Sequence, residues 1–267
     1  MELNSLNQAV DFKTIKRKVF TEDGVEVKDR KAIVRTDTNK VLGVVGNNYR
    51  IAEHSKVLEA FEQTGILKLK KVDVCKGGAV MFAHYDIENN GQLRQEDVQV
   101  GDTIRFGVRV FNSHNYDLGV GFEIVAYRLV CKNGLVVPRT MSRVSMKHYQ
   151  STDINRIRLS IVKKQDSILP TIQIWKRWSE TKVDETRIDK FFEEAKVGKR
   201  LRSILYDRAV AENKRLGVWG IYNVFTHYTT HEMKVRSAEN RTLSVRDKEQ
   251  TLLQKFYQFD WEGELKS

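Results

Sequence analysis

The sequence predicts an α+β fold, with antiparallel β-hairpins and a packed helix in the first half and a mostly helical second half. Three observations predict it. In "TIRFGVRVF" the residues Ile104, Phe106, Val108 and Val110 alternate with Arg105, Gly107 and Arg109, the period-two pattern of a strand with one face in a core. The turn signals "DTN" and "NSHNYDLG" separate β-rich runs at hairpin distances. From Asp153 onward the apolar period becomes helical and stays so.

Taken in order, "KTIKRKVF" is a weak strand candidate followed by the turn "EDG", and "KAIVRT" and "KVLGVVG" form a hairpin. In "AEHSKVLEAFEQTG" the residues Val57, Leu58 and Phe61 share one helical stripe and Gly65 is placed as a stop. That helix is expected to pack on the hairpin. Strands follow in "GGAVMFAHYDI", "DTIRFGVRVFN" and "GVGFEIVAYRLVC". In "DINRIRLSIVKKQDSIL" Ile154, Ile157, Ile161 and Ile168 fall on one side, with Arg156 and Lys163 opposite. Pro170 kinks or ends that helix, and Asp184 is a candidate N-cap for the next. Two regions are expected, residues 1–150 as the α+β part and 151–267 as a helical part packed on it as one unit.

Charge is the most informative part of the composition. The 46 Lys and Arg against 35 Asp and Glu give +11, and the excess is concentrated. From Tyr127 to Gln150 the chain carries Arg128, Lys132, Arg139, Arg143 and Lys147 and no Asp or Glu. Adding Arg156, Arg158, Lys163 and Lys164 meets only Asp153. Such a segment reads either as a solvated basic face or as a polyanion-binding surface. Tyr116, Tyr127 and Tyr149 flank it and Trp175 and Trp178 follow, and base stacking adds affinity that phosphate contacts do not supply. Tyr149 is the best stacking candidate. Arg105 and Arg109, on the polar side of their strand, are expected beside the basic loop.

Several chemistries find no support. No G-x-x-x-x-G-K-[ST] array is present, no G-x-S-x-G elbow, and no carboxylate cluster around Glu123 of the metal-nuclease kind. His227 and His231, four apart, lie on one helix face with Asn223, Thr230 and Trp219. They read as a hydrogen-bonded helix face or, as the alternative, as part of an enzyme site acting on nucleotides or nucleic acid. His114 reads as a turn residue. No catalytic residue, metal or cofactor is expected. Cys75 and Cys131 read as buried thiols in a reducing cytoplasm, and the absence of a signal peptide or long apolar run leads to the expectation of a cytoplasmic protein without membrane contact.

The stretches "VLGVVGNNYRIAEHSKVLEAFE", "NSHNYDLGVGFEI", "RLVCKNGLVV" and "GVWGIYNVFTHYTTH", in this order, resemble the phage- and plasmid-borne family called domain of unknown function 932, over roughly residues 30 to 235. The resemblance implies a setting of phage or plasmid replication or recombination in a bacterial host cell, which favours DNA as the polyanion. The order of hairpin, helix, further antiparallel strands and basic groove is also similar to the Rad52-like single-strand annealing proteins of phages, which act without ATP in rings or filaments. The leading expectation is therefore a protein that binds and anneals single-stranded DNA as a homo-oligomer. Arg105, Arg109, Arg128, Lys132, Arg139, Arg143, Lys147, Tyr149, Arg156 and Lys163 would contact the strand. A module directed at a host protein is the remaining alternative.

Overall fold

The computed structural model describes residues 10–89, 91–129, 133–135, 143–149 and 153–263. Three strands, β1 (Thr14–Phe20), β2 (Glu26–Arg35) and β3 (Val41–Gly46), form a small antiparallel sheet in that order. The β2–β3 turn holds Asn39 at φ 55°, a conformation asparagine tolerates. Helix α1 (His54–Glu62) follows, and Gly65 at φ 70° turns the chain out of it.

The large sheet is built from β4 (Leu67–Cys75), β5 (Val80–Asn89), β6 (Gln92–Leu93), β7 (Gln95–Gln99), β8 (Asp102–Ser113), β9 (Val120–Arg128), β10 (Asn133–Leu135) and β11 (Arg143–Met146). Its antiparallel path runs β10-β9-β8-β5-β4, and β11 also pairs with β9. The helical half contains α2 (Ile154–Lys164), α3 (Leu169–Glu180), α4 (Glu185–Glu194), α5 (Lys199–His227), α6 (Arg241–Leu252) and α7 (Gln254–Gln258). Pro170 lies in the first turn of α3, where its missing N–H costs no helical bond. The Asp184 carboxylate caps α4 by accepting from the Arg187 N–H at 2.8 Å. No helix among the described residues is long and apolar enough to cross a membrane.

Strand alternation gives the large sheet two different faces. Ile104, Phe106, Val108, Val110, Phe122 and Ile124 point to one side and are buried with Ile157 and Ile161 of α2 and with Trp175, Trp219 and Phe225 of α3 and α5. One apolar core thus joins sheet and helices across residue 150. Helix α1 belongs to it through Val57, Leu58 and Phe61, and Phe61 meets Phe122 edge-on at 6.1 Å. The expected packing of α1 on the first hairpin is corrected accordingly, because its apolar stripe finds the larger apolar surface. The hairpin instead covers part of the opposite face, where Ile33, Leu42, Val45 and Tyr49 bury Phe82 and Phe111 with the free thiol of Cys75.

Trp175, Trp178 and Trp219 are buried, so they are core residues rather than stacking platforms. The indole of Trp175 donates to the Tyr257 hydroxyl at 2.9 Å and that of Trp219 to Asp102 at 2.8 Å, the partners buried Trp requires. Trp219 is therefore not on an open polar face with His227 and His231. Every residue from Leu216 to Thr226 is buried.

Helix α5 is interrupted at Gly217, φ 62° and ψ −154°, a region open essentially to glycine alone. The break lets the Val218 N–H donate to the Thr181 carbonyl at 2.8 Å. A Cβ at 217 would meet that same carbonyl oxygen and lie 2.7 Å from the Trp178 carbonyl oxygen. Gly217→Ala is expected to cost about 3 kcal/mol or more in urea unfolding, from backbone strain and clash together. A loss below about 1 kcal/mol would mean the break is not a packing constraint.

Candidate functional site

The cations expected on one surface are divided by the fold. Arg109 and Glu123 face each other across β8 and β9 in register, and the Arg109 Nε donates to Glu123 Oε1 at 2.7 Å. Helix α6 lies over this pair and brings Arg246, whose Nε reaches the same Oε1 at 3.1 Å, and Glu249, 3.8 Å from Arg109 Nη1. Arg246 and Glu249 are buried. Arg143, opposite Glu123 in register, lies 4.4 Å from the centroid of the Phe111 ring. Arg128 is buried at the other face and forms a two-pronged ion pair with Asp102, 2.5 and 2.7 Å. Arg109 and Arg128 are thus structural ion-pair partners and not part of an open cationic surface, a correction to the sequence reading. A lone buried guanidinium would be far too costly without such partners.

The two carboxylates of the network behave oppositely. Burial opposes ionisation of Glu123, but Arg109 and Arg246 outweigh it and hold the group down at about 2. Burial pushes Glu249 up to about 7, since the more distant Arg109 offsets it only in part and the charge on Glu123 adds to it.

Beyond α6 the same sheet face stays open. Asp73, His84 and Tyr127 form a chain there. The Asp73 carboxylate stands 3.4 Å from His84 Nε2, and His84 Nδ1 lies 3.1 Å from the Tyr127 hydroxyl. Tyr127 reaches His84 by crossing β8 at Gly107, where a Cβ would come within 3.1 Å of its ring. Burial lowers the His84 pKa, with Asp73 opposing the shift. Burial disfavours the ionised Asp73, yet His84 and Lys71 carry it well below the usual carboxylate range. A cavity of about 200 Å³ between this chain, Arg109 and Glu249 adjoins a second of about 560 Å³ that shares Lys71, His84 and Tyr127 and includes Asp86 and Arg105. Arg105 is partly exposed, its Nη1 3.5 Å from Asp86.

A different set of the expected residues is brought together elsewhere. The segment Lys147–Tyr149 lies against Arg50, whose N–H donates to the His148 carbonyl at 2.9 Å. A cleft of about 400 Å³ there is lined by Arg50, Lys56, His148, Asp153 and Asn155. Helix α2 starts at its rim. Arg156 and Lys163 are exposed, two turns apart on one side of α2, with Leu159 and Val162 exposed beside them at 61% and 52%. Lys147 and Tyr149 are exposed as well. Lys132 and Arg139, with Cys131 and the segment 136–142, lie outside the described residues.

The histidines are placed as follows. His227 Nε2 is 3.3 Å from Glu232, which also binds Arg208 through two hydrogen bonds of 2.8 and 3.0 Å, and the His227 and His231 rings are 4.8 Å apart. Among the described residues no group of three His, Cys, Asp or Glu side chains is placed to hold a metal ion. His114, read as a turn residue, is fully buried next to His54, ring centroids 4.2 Å apart, and near buried His148. Burial first, and then the neighbouring histidines, lower His54 to about 4 and His114 to about 2, while burial lowers His148 to about 4.

The family described as Domain of unknown function (DUF932) matches residues 41–252, and the chain belongs to it. No curated protein and no solved structure matches the chain.

The buried histidines and Glu249 make stability respond to pH in opposite directions. The three histidines are kept neutral by the fold, so their contribution is complete above about pH 6.5 and is lost as the pH falls toward 4. Glu249 is kept protonated, so its contribution is complete below about 4.5 and is lost as the pH rises through 7. Glu249→Gln, which retains the neutral form, should unfold with wild-type stability near pH 4.5 and be more stable by on the order of 1–3 kcal/mol at pH 8. A pH-independent difference would show that Glu249 is already ionised in the folded protein.

Proposed function

We propose that this DUF932 protein binds single-stranded DNA along the exposed basic strip of Arg50, Lys56, Lys147, Arg156 and Lys163, and anneals strands as a homo-oligomer. The observation that carries the reading is the alignment of Arg156 and Lys163 on one side of α2, whose first turn lines the same cleft as His148, the residue between exposed Lys147 and Tyr149. Cations about 10 Å apart along the helix suit two phosphates of one strand that are not nearest neighbours, while Leu159, Val162 and Tyr149 offer apolar and aromatic surface to unstacked bases. Duplex DNA presents no free base faces, so that part of the surface favours single strands. Helix α2 is only about 16 Å long, room for a few phosphates per chain, so a strand held firmly enough to meet its complement must span several copies.

Binding should fall with salt at a log–log slope of about −0.7 per phosphate neutralised. In Arg156→Glu/Lys163→Glu the slope should lose about 1.4 in magnitude, measured by fluorescence anisotropy on a labelled oligothymidylate. Tyr149→Leu should weaken single-strand binding by about 1 kcal/mol and leave duplex binding nearly unchanged. Unaltered binding by the charge-reversed variant removes the strip from the site, and a chain that sediments as a monomer with and without DNA removes annealing.

A further inference from the structure

We infer that the open part of the polar sheet face is a nucleotide-binding pocket that reads the amino-bearing edge of a base. The pocket is the cavity of about 560 Å³ lined by Lys70, Lys71, His84, Asp86, Arg105 and Tyr127. Asp86 is 5% exposed, and its Oδ2 makes no hydrogen bond. The nearest cations, Arg105 Nη1 and Lys70 Nζ, stand at 3.5 and 3.8 Å. The Nε of Arg105 is likewise buried without a hydrogen-bond partner. Asp86 and Arg105 both line the cavity and meet each other only through an ion contact of 3.5 Å, so hydrogen-bonding capacity remains on both residues for a ligand that enters between them.

The chemistry of that ligand follows from what faces it. A base edge carrying an exocyclic amino group next to a ring nitrogen or carbonyl offers a donor to Asp86 and an acceptor to Arg105 at once. Tyr127, which approaches Gly107 closely and is tied by its hydroxyl to His84, lines the cavity with an aromatic ring for the base to lie against. Lys71 is paired with Asp73 at 2.6 Å, but Lys70 and Arg105 together exceed Asp86 by one positive charge, which suits a phosphate at the mouth. The volume fits a whole nucleotide and is far larger than a free amino acid, the other ligand class with adjacent donor and acceptor groups, requires. Adenine, cytosine and guanine nucleotides satisfy the pair; thymidylate, without an amino group, does so least well.

His84, Asp86, Arg105 and Tyr127 lie on the sheet face opposite the one α2 covers, and no residue of the pocket belongs to the basic strip. The test is calorimetric titration of the full chain with the deoxynucleoside monophosphates, with inorganic phosphate as the control. Amino-bearing nucleotides should bind at least tenfold more tightly than thymidylate or phosphate. Asp86→Asn should lose that preference at least tenfold while remaining folded, because Arg105 and Lys70, which lose their counter-charge, both reach water. Arg105→Lys keeps the charge, loses Nε, and should weaken binding at least fivefold; it decides the matter if Asp86→Asn does not fold. Displacement of a bound nucleotide by a single-stranded oligomer identifies the ligand as a unit of a strand, and failure of displacement identifies it as a free nucleotide. The inference is overturned if nucleotides bind no better than phosphate, or if either folded variant binds within twofold of wild type. Arg156→Glu/Lys163→Glu should leave nucleotide binding unchanged.

Discussion

Glu123 is the residue on which the polar side of this molecule depends. It accepts from Arg109 on the neighbouring strand and from Arg246 on a helix more than a hundred residues later, and so fastens α6 to a sheet face that would otherwise present a carboxylate and a guanidinium to an apolar covering. Removing one partner from such a buried set costs on the order of 3–5 kcal/mol, because the remaining charge has no water to turn to. Arg246 also lies 5.8 and 5.7 Å from the rings of Phe82 and Phe111, where the first hairpin closes the same face. One ionic knot thereby sets how far α6 and the small sheet extend, and where the face stays open.

That division decides what the positive charge is for. A basic segment read as a line of charges suggests a continuous surface, yet Arg109, Arg128 and Arg143 are drawn inward by acidic or aromatic partners, while Lys147, Arg156 and Lys163 stay exposed. The same covering by α6 leaves the Asp73, His84 and Tyr127 chain at the edge of an unfilled cavity. Two separate surfaces result, an exposed cationic one along α2 and its neighbouring cleft, and a cavity lined by polar side chains.

The strands were legible because burial of one face imposes alternation, and "TIRFGVRVF" states it outright; the helical half was legible through Ile154, Ile157 and Ile161. The partners of the arginines were not. Glu123 and Arg109 are fourteen residues apart and meet only through the β8–β9 register, and a one-residue slip would have put them on opposite faces. Helix α6 was not singled out within the expected helical part because "RTLSVRDKEQTL" has no apolar stripe; Arg246 and Glu249 are buried in it beside Leu252. Position 107 did carry a signal, since a glycine inside an alternating strand marks a close approach, here that of Tyr127. His114 was read by its turn context, which says nothing of burial for the first residue of a turn whose tip, Tyr116 and Asp117, is exposed while His114 itself is buried.

Photocrosslinking of a bromodeoxyuridine-substituted single strand to the full chain, with the attached residues identified by mass spectrometry, tests the account most directly. The account predicts attachment at Tyr149 and within α2 around Arg156 to Lys163, and none at Arg109 or Arg128, whose guanidinium groups are held by Glu123 and Asp102. Attachment confined to residues outside the Lys147–Lys163 region, at saturating oligonucleotide, would contradict it.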